Sequence, residues 1–138
     1  MTRRPTTAAA GCLLLALAAA APASAASPAS PGRASLDGRT YAGETGEQGK
    51  EQGDPETFVF ADGQFDPLQC HPWGFAATPY TATADGEAVR FEAEHGNPKG
   101  ERMKWSGVVR GAILEGTMTF RDAAGKEQAY WFKAQLTE

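Results

Sequence analysis

The chain is poor in the residues that most often announce chemistry. It has two cysteines and two histidines in 138 residues. Cys12 lies in a leader-like stretch, so Cys70 is the single cysteine of the mature domain, which excludes an intramolecular disulfide framework. Cys-x-x-Cys and Cys-x-x-Cys-His are absent, and with them thioredoxin-type chemistry and covalent haem attachment. There is no Gly-x-Ser-x-Gly elbow and no glycine-rich loop between a strand and a helix, so neither a hydrolase nucleophile nor a phosphate cradle is marked. No apolar run reaches the roughly 20 residues that a helix needs to cross a bilayer. Basic charge is also scarce: 13 Lys and Arg face 17 Asp and Glu. An acidic, unclustered surface argues against nucleic acid and anionic membrane as partners.

What is present begins with an export pattern. Arg3 and Arg4, the apolar run Ala8 to Ala21 and the small residues Ala23-Ser24-Ala25 read as a secretory signal peptide over 1–25. Its removal takes away two arginines and no acid, moving the formal charge from −4 to −6. Cys12 precedes Leu13-Leu14-Leu15 instead of following them, which is the wrong order for a lipoprotein anchor. The small, proline-rich residues 26–36 read as a disordered linker, and 37–138 as one domain. The expected location is exported, in the periplasm or the extracellular medium.

The domain carries period-two alternation punctuated by glycine turns. Arg39–Gly43 is a short strand. Glu44–Pro55, polar and nearly duplicated as Glu47-Gln48-Gly49 and Glu51-Gln52-Gly53, reads as a long solvated loop that is able to gate a cavity mouth. Thr57–Ala61 and Gln64–Asp66 form a hairpin around Asp62-Gly63. In residues 67–71 Pro67 opens, and Pro72 closes, one short helical turn that contains Cys70. Pro79–Asp85, Ala88–Glu94, Arg102–Arg110, Ile113–Arg121 and Gln128–Leu136 complete about eight strands, and His95–Gly100 is a turn. The fold class is all-β, a small antiparallel up-and-down barrel. Inward Gly107 and Gly116 make room that Phe91, Trp105, Phe120 and Phe132 take back.

Several constellations of residues are candidates for chemistry. A thiol at a helix start beside His71 is favoured as thiolate, so Cys70 is a candidate redox or nucleophilic group, set against packing beneath Trp73 and Phe75. Cys70, His71 and His95 lack metal-site spacing, and no cofactor or metal is expected. Glu92 and Glu94 share an outward face with Arg90 and read as solvated charge. Trp131 points outward, as a contact for a partner or under a covering loop. Phe58, Trp73, Phe75, Tyr80 and Trp105 are the candidate ligand-binding residues, because pockets favour barrel mouths.

Leu36-Asp37-Gly38-Arg39-Thr40-Tyr41-Ala42-Gly43, Phe58-Val59-Phe60 with Asp62-Gly63, Cys70 with Gly74-Phe75, Trp105-Ser106-Gly107 and Leu114-Glu115-Gly116-Thr117 together resemble small exported bacterial proteins of uncharacterised function. The resemblance implies a lipocalin-like or avidin-like β-barrel. The leading expectation is a non-enzymatic barrel that takes a small apolar or aromatic molecule at its mouth. The alternatives are an envelope structural module with a filled barrel that meets another envelope protein and, more remotely, a thiol enzyme using Cys70.

Overall fold

The computed structural model describes residues 33–137. The signal peptide reading (1–25) and the linker up to residue 32 lie outside the described residues. Eight antiparallel strands run in sequence order and close into a barrel. They are β1 Arg39–Glu47, β2 Asp54–Ala61, β3 Gln64–Pro67, β4 Thr78–Asp85, β5 Ala88–Gly96, β6 Arg102–Arg110, β7 Ile113–Arg121 and β8 Glu127–Leu136. β8 closes on β1, with Tyr41 opposite Leu136 and Glu47 opposite Tyr130. Among the described residues, no helix is long and apolar enough to cross a membrane.

Alternation builds the interior. Tyr41, Phe58, Phe60, Phe65, Phe91, Trp105, Leu114 and Phe132 are fully buried or nearly so. The aromatic rings among them form one connected layer across the barrel, in which Phe65 lies 5.2 Å from Phe60, 5.1 Å from Phe91 and 5.2 Å from Trp105. The cross-strand pair Gly107 and Gly116 makes that layer possible. A β-carbon on either would come within 2.8 Å of the Phe132 ring, so side chains there would displace the aromatics. The room left by the glycines is therefore filled.

The connections divide the barrel into two ends. At one end the turns are tight: Asp62 and Gly63, both at positive φ (53° and 75°), join β2 to β3, as a two-residue hairpin of this twist requires. The same end is closed by residues 33–36, read from sequence as the tail of the linker. Ala34 N–H donates to the Ala82 carbonyl at 3.1 Å, Arg33 bridges Thr83, and Leu36 is fully buried. This segment lies along the edge of β4 that the short β3, pairing only at Thr78 and Pro79, leaves uncovered.

The other end carries the longer connections. Here the sequence expectations shift most. β1 continues four residues past Gly43, to Glu47, and β2 begins at Asp54, so the predicted loop of 44–55 shrinks to 48–53. Backbone pairing with β8 and β2 does not need apolar side chains, which is why a polar stretch still forms strand. His95 belongs to β5 instead of a turn, at an inward position.

Candidate functional site

The helical turn is a 3₁₀ turn, Leu68–Trp73. Pro67 is its N-cap in an extended conformation, and no side chain caps it. Asp66, the last but one residue of β3, meets His71 Nε2 at 2.5 Å. Gly74 ends the turn in the left-handed region with φ 92°, its N–H donating to the His71 carbonyl. The exit is clamped by Asn97, whose Nδ2 donates to the Trp73 carbonyl and to Glu101 Oε1, both at 2.8 Å. The result is a fixed lip on which Trp73 stands 64% exposed while Phe75 is buried inside.

His95 holds Phe75 from below. Its Nδ1–H donates to the Ala76 carbonyl at 2.8 Å, and its Nε2 accepts from Trp105 Nε1–H at 3.0 Å. These two bonds fix the neutral tautomer. Burial lowers the His95 pKa, against a smaller upward pull from the Ala76 carbonyl. The Phe75 ring packs 5.0 Å from His95 and 6.4 Å from Phe120.

A cavity of about 740 Å³ opens at this end. Its inner wall is Cys70, Phe75, Met103, Met118 and Phe120, and its rim includes Lys50, Asp54, Trp73, Lys99 and Glu101. Glu56, 5% exposed, lines it from β2. Glu56 Oε1 accepts the N–H groups of Thr57 (3.0 Å) and Gln69 (2.9 Å), and Oε2 accepts the Cys70 thiol at 3.4 Å. Gln69 Oε1 also accepts from Thr57 N–H, at 2.6 Å. These side chains serve the backbone of β2 where β3 has ended. Burial raises the Glu56 pKa, and its three hydrogen-bond donors offset this in part.

Of the residues singled out from sequence, Trp73 and Phe75 line the cavity. Phe58 and Trp105 lie one inward step below it, two residues from the lining Glu56 and Met103, in the enclosed aromatic layer. Tyr80 sits at the closed end. Its hydroxyl accepts from Leu36 N–H at 2.8 Å and donates to Asp37 Oδ1 at 2.7 Å, while Asp37 also accepts from Gly63 N–H at 3.0 Å. The structure therefore gives Tyr80 a sealing role and separates it from Trp73 and Phe75.

Cys70 is 8% exposed. Burial, then the charge of Glu56, push its pKa up, which is opposite to the thiolate expected of a helix start. His71 is paired with Asp66 and His95 with Trp105 and Ala76, so neither is bonded to the thiol. Among the described residues, no group of three or more His, Cys, Asp and Glu is placed to hold a metal ion. Trp131 is covered by a loop: its ring lies over Gly46, and its Nε1–H donates to the Lys50 carbonyl at 2.9 Å.

Sequence reasoning missed Glu56, Thr45, Met103, Met118, Phe120 and Tyr130 as lining residues. The signal was available in the alternation. Each stands two residues, or a multiple of two, from a buried apolar residue on its own strand (Phe58, Tyr41, Trp105, Leu114 or Phe132), toward the end with the longer connections. Comparison with family models, curated proteins and solved structures returns no match.

Proposed function

We propose that this chain is an exported, non-enzymatic barrel that takes a small apolar or aromatic molecule into its open mouth. The observation that supports this most directly is the cavity of about 740 Å³, walled by Phe75, Met103, Met118 and Phe120 and edged by Trp73. A cavity of this size and lining is typical of small-molecule sites, and methionine walls adapt to ligand shape. Binding is favoured over catalysis because the reactive groups nearby are already engaged. Both His95 nitrogens are in hydrogen bonds, and the Cys70 thiol keeps its proton. Export rests on the sequence pattern of 1–25.

N-phenyl-1-naphthylamine, a neutral aromatic dye, tests the reading by titration. Saturable emission enhancement is expected, weakened about tenfold or more by Met118→Trp, which fills the mouth. Enhancement that does not saturate, or that Met118→Trp leaves unchanged, sinks the reading.

A further inference from the structure

The polar groups of the cavity are unequal in sign and depth. Among the described residues, its buried wall holds one carboxylate, Glu56, and no lysine or arginine. Lys50 and Lys99 belong to the exposed rim, and Lys50 is already paired with Glu47 at 2.7 Å. The two oxygens of Glu56 are unequally used. Oε1 takes two backbone N–H groups, whereas Oε2 takes only a thiol, a weak donor, at 3.4 Å.

A second acceptor lies close by. Thr45 faces Asp54 across β1 and β2, and Gly43 faces Glu56, so Thr45 stands one diagonal step from Glu56. The Thr45 hydroxyl oxygen is buried, has no hydrogen-bond partner among the described residues, and its residue lines the same cavity. Opposite Glu56, Gly43 contributes no side chain to compete for the carboxylate. Buried polar atoms normally have partners, and a carboxylate oxygen with spare capacity beside a hydroxyl calls for a donor, best a charged one.

Resting on the mouth-binding reading above, we infer that the cavity selects molecules whose buried end is an ammonium donor on an aromatic body, and discriminates against carboxylates of the same shape. The ammonium meets Glu56 Oε2 and Thr45 Oγ1, while the ring lies among Phe75, Met103, Met118 and Phe120. A carboxylate in that place would oppose Glu56 with no buried cation to neutralise it.

Three naphthalene compounds, 2-naphthylmethylamine, 2-naphthalenemethanol and 2-naphthoate, share a ring and differ in head group. In calorimetric titrations the amine is expected to bind at least about tenfold tighter than the naphthoate, with the alcohol between them. Glu56→Gln keeps a carbonyl acceptor for Thr57 and Gln69. It should compress the amine-to-naphthoate ratio to about threefold or less. Thr45→Val, which does not touch the β2 hydrogen bonds, should weaken the amine about fivefold and spare the naphthoate. Equal binding of amine and naphthoate overturns the inference while leaving mouth binding intact, provided the alcohol binds. A preference that survives both substitutions also overturns it, because the acidic surface as a whole would then be its source. If none of the three compounds binds, both readings fall.

Discussion

The two ends of this barrel are built on opposite terms. At the closed end, Asp62-Gly63, Gly86-Glu87 and Gly111-Ala112 are connections of two residues each. Leu36 fills the centre, and Asp37, Gly63 and Tyr80 form a hydrogen-bonded seal. At the open end, strands are joined by residues 48–53, by the 3₁₀ turn and its exit, by 97–101 and by 122–126. There the same inward alternation ends in Glu56, Met103, Met118 and Phe120 and leaves a cavity. The aromatic layer lies between the two. Its packing carries the stability of the barrel, which frees the residues above it to be arranged for contact.

This division predicts unequal costs of substitution. The largest effect is expected from Phe65→Ala in the aromatic layer, about 3–5 kcal/mol by denaturant unfolding, against about 0.5 kcal/mol or less for Trp73→Ala on the lip. Comparable losses at the two positions would break the contrast. Next, Tyr80→Phe removes the donor to Asp37 and the acceptor for Leu36 N–H, at a cost of about 1–2 kcal/mol. Its affinity for an aromatic dye should not change, since Tyr80 lies away from the mouth. A Tyr80→Phe protein of full stability with weakened dye binding would reverse the assignment of the two ends.

The smallest effect sharpens the boundary between them. His95 joins the lip to the layer through Ala76 and Trp105, and its folded pKa lies below the ordinary 6.5. Between the folded value and 6.5, the unfolded chain holds a proton that the folded chain does not. The His95 contribution is therefore full above 6.5 and declines as pH falls through that value, by at most about 1.4 kcal/mol per pH unit. Glu56 has the opposite sign, since its raised folded pKa means that acid relieves its burial. The difference in slope between the parent protein and His95→Gln isolates the histidine. Identical slopes for the two proteins would show that burial does not lower the His95 pKa in the folded barrel.

Much of the fold was legible because the barrel wall is periodic. β6 and β7 have the bounds expected from alternation and turn glycines, and the 3₁₀ turn follows Pro67 as expected but runs through Pro72 to Trp73, where Gly74 and not the proline ends it. What was not legible depends on partners distant in sequence. The extension of β1 over Glu44–Glu47 is specified by β8 and by the Trp131 ring over Gly46, and nothing local in Glu-Thr-Gly-Glu reports that. In the site, Trp73 and Phe75 were readable as aromatics next to a break in the pattern. Phe58 and Trp105 were placed on the correct face but one step too shallow, since alternation gives the face and not the depth. Tyr80 was misplaced along the axis because β3 is only four residues long, so β4 pairs with it at one end and with residues 33–36 at the other. Glu56 escaped notice because a carboxylate at an inward position reads as a loop residue until its backbone donors are known.

The pairing of β8 with β1 has a consequence for the order of assembly. Tyr41 faces Leu136, and Thr137 N–H reaches the Thr40 carbonyl at 2.8 Å, so the first strand of the barrel in chain order is the last to gain its second neighbour. The intervening six strands can zip hairpin by hairpin through local contacts. Closure must wait for a contact that spans nearly the whole domain, the slow kind in folding. Until then one edge of β1 is open to any other strand. The bond that turns the sheet into a vessel is thus also the one most exposed to a competitor, and a second copy of β8 from another chain would fit it as well as its own.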